Sequence, residues 1–154
     1  QEVTGSPMTT TATGVRLVEL PRGGYLSRIY IKTGVRATGT TAGNNAYSTL
    51  SNSILTNIRV YRGLNNPVRY YANFQQAQFD AALGVSLSLP PTGIAVIDFV
   101  RNGLLGEAFD ARPLVAGPSG SVDFYLEADV TGASNQGAVI MYEEIRSLPL
   151  VRTR

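Results

Sequence analysis

The clearest pattern in the chain runs from Ser121 to Val130, where Val122, Phe124, Leu126, Ala128 and Val130 alternate with Asp123, Tyr125, Glu127 and Asp129. A side-chain period of two puts the apolar residues on one side of a sheet and the carboxylates and tyrosine on the other. One face must therefore meet a second layer while the other stays wet, as in an antiparallel sheet. The rest of the chain supplies that second layer.

Val15 to Leu20 and Tyr25 to Thr33 read as strands on either side of the turn Pro21-Arg22-Gly23-Gly24, forming a hairpin or a corner between two sheets. Tyr25, Ser27, Ile29 and Ile31 fall on one face of the second strand. Ile54 to Arg62 sets Ile58 and Val60 against Arg59 and Tyr61, and Gly63 to Pro67 closes it. Val85 to Leu89 alternates apolar residues with serine, whereas Thr92 to Arg101 is more continuously apolar, as a strand covered on both faces would be. Leu104 to Leu114 fits no single pattern, and Gly137 to Ile145 reads as the last strand. One helix is expected over Phe74 to Leu83, with Asn73 as cap, Gln76 reaching back and Gly84 ending it. Its apolar stripe would be Phe74, Ala77 and Ala81, with Phe79 and Leu83 beside it.

Between these elements, Gly34 to Ser53 reads as a long loop with room for a short edge strand, its only anchors being Val35, Tyr47 and Leu50. Gln1 to Gly14 is rich in small polar residues with almost nothing to bury, which predicts a flexible arm that orders against a partner. The expected organisation is therefore an N-terminal arm (1–14), one all-β domain (15–148) of about eight antiparallel strands with one short helix, and a tail (149–154).

Composition narrows the chemistry. A chain of 154 residues can bury roughly 70% of its unfolded surface, so the core needs no metal or disulfide to hold it. There is no cysteine and no histidine, which removes disulfides, thiolate sites, serine triads and most zinc or transition-metal sites. The net charge is +2, and the basic residues are scattered singly from Arg16 to Arg154, giving no nucleic-acid stripe. Twelve of the thirteen are arginine, with Lys32 the only lysine; arginine suits bidentate pairing across packed interfaces, and a GC-rich genome gives the same bias. Charged residues make up 16%, below the roughly 25% of ordinary soluble domains, as suits a surface packed against neighbours. No apolar run reaches the length of a membrane-spanning helix. No signal peptide is expected, and Gln1 in place of Met suggests processing.

Three constellations could carry function. Asp98, Glu107 and Asp110 could serve as an acid–base pair of the glycosidase kind, against the simpler reading that Asp98 answers Arg101 or Arg112 and that Asp110-Ala111-Arg112-Pro113 is a turn. Asp123, Glu127 and Asp129, with Glu143 and Glu144, could hold calcium, but without a glycine-punctuated loop a solvated or arginine-paired face is favoured. Arg59, Tyr61, Arg62, Arg69, Tyr70 and Tyr71 form the one aromatic and basic cluster. Tyrosine beside arginine suits stacking on a single strand or a sugar, and equally anchors protein interfaces, which the near-neutral charge favours. No catalytic, cofactor-binding or metal-binding residue is assigned.

Eight strands in two sheets, long loops, a short central helix and an arm together suggest a single jelly roll. Two regions carry a more specific likeness. One is Leu55-Thr56-Asn57-Ile58-Arg59-Val60-Tyr61-Arg62-Gly63 with Asn66-Pro67-Val68-Arg69 and the helix after it. The other is Val96-Ile97-Asp98-Phe99-Val100-Arg101 with Ala108-Phe109-Asp110-Ala111-Arg112, the organising strand and Asp129-Val130-Thr131-Gly132-Ala133. Together they resemble the upright jelly-roll capsid proteins of icosahedral viruses with an internal membrane. The likeness spans Val15 to Leu148 and is nearest to the small major capsid proteins of Thermus bacteriophages of the sphaerolipovirus type. The resemblance implies a virion subunit that forms dimers or trimers, packs with a second, larger capsid protein around an internal membrane, and stands with its strands upright. It implies no catalytic residue, no cofactor, no small-molecule substrate and no specific nucleic acid. A carbohydrate-binding or receptor-binding jelly roll of the spike kind, using Tyr61, Tyr70 and Tyr71, is the alternative, followed by a glycan-active enzyme using Asp98 and Asp110.

Overall fold

The computed structural model describes residues 1–20, 25–37, 47–62, 67–85, 89–99, 112–113 and 124–145. In chain order the elements are β1 (Glu2–Val3), α1 (Ser6–Thr9), β2 (Ala12–Glu19), β3 (Tyr25–Val35), β4 (Thr49–Leu50), β5 (Leu55–Arg62), β6 (Pro67–Asn73), α2 (Phe74–Val85), β7 (Ile94–Asp98), β8 (Arg112–Pro113), β9 (Phe124–Val130) and β10 (Gln136–Ile145). They form two antiparallel sheets, so the chain is an all-β sandwich with few helices. One sheet is ordered β1-β10-β3, with β4, β7 and β8 each paired to β3; the other is ordered β2-β9-β5-β6. Because β2 and β3 lie in different sheets, they do not pair with each other as a hairpin.

The core is what the alternation of each strand turns inward. Leu26, Ile29, Ile31, Ala95, Ile97, Ala138 and Ile140 from one sheet meet Leu55, Ile58, Val60, Leu126, Ala128 and Val130 from the other. Each large aliphatic side chain removed from water this way stabilises the fold by about 1.5–3 kcal/mol. The alternation slips in two places that sequence periodicity does not reveal. Leu26 is buried with Ile29 and Ile31 because β3 gains a residue against β10 between Arg28 and Leu26. Leu55 and Ile58 are likewise both buried, and between them Asn57 takes a left-handed φ of 45° where the register of β5 against β9 shifts. A bulge of this kind re-aims every side chain that follows it.

Residues 1–14 differ from expectation. Val3 pairs with Ala138, the Gln1 ammonium donates to the Ile140 carbonyl at 2.7 Å, and Met8 in α1 is 0% exposed. This segment is packed against the sheet because Met8 and Val3, though few, enter the main core. Strand β2 also begins at Ala12, ahead of the expected boundary at Val15. The tail 149–154 lies outside the described residues.

Helix α2 starts where expected: the Gln76 amide donates to the Asn73 side chain at 2.9 Å, while the Gln76 carboxamide accepts from the Ala72 amide at 2.8 Å. It runs through Gly84 to Val85, so the strand expected from Val85 does not begin there. Its buried stripe is Phe74, Ala77, Gln78 and Ala82, and Phe79 is 56% exposed. The stripe is turned relative to expectation because Gln78 faces the sheet, donating to the carbonyls of Pro91 and Ile94 at 3.0 and 2.8 Å. Strand β7 alternates buried with half-buried residues, and so is not equally covered on its two faces.

Candidate functional site

The outward face of the sheet β2-β9-β5-β6 carries a continuous polar and aromatic network. Strand register places Arg59 beside both Glu127 and Tyr70, and Tyr61 beside Tyr125. Arg59 donates to Glu127 at 2.6 Å and to Asp129 at 3.3 Å. Asp129 also accepts from the Gly14 amide at 2.8 Å and from Asn57 at 2.7 Å, while Asn57 in turn accepts from the Tyr70 hydroxyl at 2.7 Å. The left-handed turn at Asn57 thus puts one side chain between two strands. Next to this cluster the Tyr61 and Tyr125 rings stack at 5.0 Å, and the Arg16 guanidinium covers Tyr125 at 3.9 Å from the ring centre. Arg16 also meets Glu19 at 3.0 Å.

Electrostatics follow from this packing. Burial by itself raises the pKa of Asp129, but the bonds from Gly14 and Asn57 and the charge of Arg59 outweigh it and hold the carboxyl below its ordinary value. Burial likewise works against the Arg59 cation, and the Glu127 bond and Asp129 charge outweigh it, raising its pKa. The carboxylates expected as a calcium or arginine-paired face are therefore paired with arginine at Glu127 and Asp129. Asp123 lies outside the described residues, and Glu143 sits on the other sheet.

The six-residue aromatic and basic cluster is divided by the sheet. Arg59, Tyr61 and Tyr70 face outward, with Tyr70 54% exposed. Tyr71 is opposite Ile58 on the core side and donates its hydroxyl to Asp80 at 2.6 Å. Arg69 is opposite Val60, and its guanidinium lies 5.0 Å from the centre of the buried Phe99 ring. Arg62 is exposed at the end of β5. Tyr61, Tyr70 and Tyr71 accordingly do not line one concave site, because adjacent residues of a strand point to opposite faces.

The outward face of the other sheet is arranged in rows. Across β10, β3 and β7, register aligns Val139 with Lys32 and Ile94, then Met141 with Tyr30 and Val96, then Glu143 with Arg28 and Asp98. Asp98 is paired with Arg28 at 3.4 Å; its expected partners, Arg101 and the side chain of Arg112, lie outside the described residues. Arg28 also meets Glu143 at 3.3 Å, and the Tyr30 hydroxyl donates to Glu143 at 3.0 Å. Burial and the Glu143 bond both raise the pKa of the Tyr30 phenol. Glu107, Asp110 and the side chain of Arg112 lie outside the described residues, so Asp98 is the described member of the proposed carboxylate pair.

One further row was not legible in the sequence. Gly34 and Gly137 are partners across β3 and β10, and a Cβ at either would collide with Tyr47. The Tyr47 ring lies over this glycine floor, donates its hydroxyl to Glu2 at 3.4 Å, and has Lys32 and Arg36 at 5.8 and 5.6 Å from its centre. Arg36 is itself paired with Glu2. A glycine inside a strand is the signal that a group approaches closely, but it does not say which group. Arg16 and Asn57 were missed as parts of the outward network, and Tyr125 was placed on that face without its partners Tyr61 and Arg16, for a similar reason: strand partners are not written in local periodicity.

Among the described residues no group of three or more acidic side chains is placed to hold a metal ion. Comparison with protein-family models, with curated proteins and with solved structures found no match for this chain.

Proposed function

We propose that the chain is a viral structural protein, a major capsid subunit with a single jelly-roll fold that self-associates and packs with a second, larger capsid protein into an icosahedral shell. The observation that carries this reading is the strand pairing. Three of the ten strands are two residues long; setting aside β4 and β8, which pair only with β3, and keeping β1, which forms an edge on β10, leaves eight. These pair first with eighth (β1–β10), second with seventh (β2–β9), third with sixth (β3–β7) and fourth with fifth (β5–β6). Cross-pairs β10–β3 and β9–β5 then fold the nested hairpin into two sheets. A long hairpin wrapped in this way is what a double Greek key would give, and it supports the jelly-roll reading. Helix α2 falls between the fifth and sixth of these strands, where the family resemblance puts a short helix. The low charge content and abundant arginine fit a surface that spends its life against neighbours.

The test is light scattering of the purified chain across concentration and salt, with electron microscopy of the concentrated end. Discrete multimers that grow into sheets or shells are the expected result. A strict monomer that binds glycans would overturn the reading in favour of a receptor-binding module.

A further inference from the structure

The start of α2 and the chain leading into β5 border a cleft of about 310 Å3, lined by Asn52, Ser53, Thr56, Asn73, Phe74 and Gln75. That is the small end of the roughly 300–1,000 Å3 of ligand pockets, with room for one sugar-sized ring. None of these described lining residues carries a charge. The carboxylate opposite Thr56 in register, Asp129, is already matched by Arg59. Two of the lining residues are fixed by bonds within the protein. Asn52 accepts from the Gly93 amide at 2.6 Å and donates to Gln78 at 3.2 Å, and the Ser53 hydroxyl bonds that of Ser51 at 2.8 Å. The others have capacity to spare. Asn73 uses its side-chain oxygen to accept from the Gln76 amide, which leaves its Nδ2 hydrogens, the Thr56 hydroxyl and the Gln75 carboxamide without a partner among the described residues.

We propose that this cleft binds a neutral saccharide ring, at a site separate from the tyrosine and arginine cluster. A sugar hydroxyl both donates and accepts, and so do the Thr56 hydroxyl and the Gln75 carboxamide, while Asn73 adds donors. Such groups match the adjacent hydroxyls of a pyranose. With no charged side chain in the lining, a phosphate or carboxylate would lack the cationic partner that makes its hydrogen bonds strong. Phe74 is buried, so its ring is not open for stacking and hydrogen bonds carry the affinity. Each such bond contributes little net in water, and the dissociation constant for one ring is therefore on the order of millimolar. The bonds that already hold Asn52, Ser53 and Asn73 keep the ordering cost of binding low. The inference is independent of the capsid reading, and a shell would add only the avidity of a repeated cleft.

The experiment follows the amide NMR shifts of the full chain while methyl α-glucoside, methyl α-mannoside, methyl β-galactoside and N-acetylglucosamine are each added to about 50 mM, well above a millimolar dissociation constant. At least one of these sugars should shift the Ser53, Thr56 and Gln75 amides in a saturable way. Thr56 is half-buried and Gln75 exposed, so Thr56→Val and Gln75→Glu can be made without opening the core. Each should raise the dissociation constant about fivefold or more, with the remaining amide shifts reporting an intact fold. Tyr61→Leu, outside the cleft, should leave binding unchanged. The proposal is overturned if none of these sugars gives a saturable shift, if binding is unmoved by both cleft variants, or if it is lost in Tyr61→Leu. Shifts of the same amides by inorganic phosphate and by no sugar would overturn it too, making the helix start an anion site. Sugar binding by a strict monomer would keep the cleft and sink the capsid reading. Shells built by a chain that shows no shift would do the reverse.

Discussion

Arg59 is the residue on which the outward face of the β2-β9-β5-β6 sheet converges, since it joins β5 to two carboxylates of β9. Arg59→Ala leaves Glu127 and Asp129 facing each other in a half-buried place, and is expected to cost about 1–3 kcal/mol in urea unfolding. Asp129 adds a pH dependence whose sign is fixed by its lowered pKa. The stability it contributes is fully present above the ordinary aspartate pKa and is lost as pH falls through the lower native value. Asp129→Asn should therefore be less stable than the wild type at neutral pH, with the gap closing as pH falls below the ordinary aspartate pKa of about 3.9. Urea melts of both proteins at the two pH values check this, and a gap independent of pH would contradict it. At the same scale, Gly34→Ala would drive a Cβ into the Thr49 carbonyl at 2.6 Å and into Tyr47. Backbone must shift to accommodate it, and a loss of about 1–3 kcal/mol is expected.

At the scale of elements, the strands were legible wherever apolar and polar residues alternate without interruption, as in β9 and the second half of β5. The bulges at Asn57 and between Leu26 and Arg28 were not, because an extra residue is defined by the strand opposite and leaves no local mark. The cap of α2 could be read from Asn73 and Gln76, and Asn73→Ala should cost about 1 kcal/mol. The apolar stripe of α2 was misread because Gln78, a polar residue, is turned inward by two carbonyls that only the fold brings near. The first fourteen residues show the opposite error. Composition made them an arm, yet one methionine is enough to anchor them when the core leaves a place for it. Met8→Ala is expected to destabilise by about 2–5 kcal/mol in the same unfolding assay; a change under about 0.5 kcal/mol would restore the arm. For the candidate site, residue types and the outward faces of β5 and β9 were readable but strand partners were not: the tyrosine and arginine cluster was found as a run, and the sheet then divided it.

For the whole molecule, the nested pairing has a consequence in time. Strand β10 lies between β1 and β3, and the bond from Gln1 to Ile140 spans 139 residues of sequence. Contacts this distant make folding slow, on the order of milliseconds to seconds, because loop closure must precede the contacts that reward it. On a ribosome the chain would carry β3 with one edge bare until residue 145 has emerged, and only then could the six-stranded sheet be completed. The outward rows need β10 as much as the core does, since Met141 and Glu143 belong to it. A nascent chain therefore lacks this outward surface until β10 has been made, so any association through it must wait for a finished subunit.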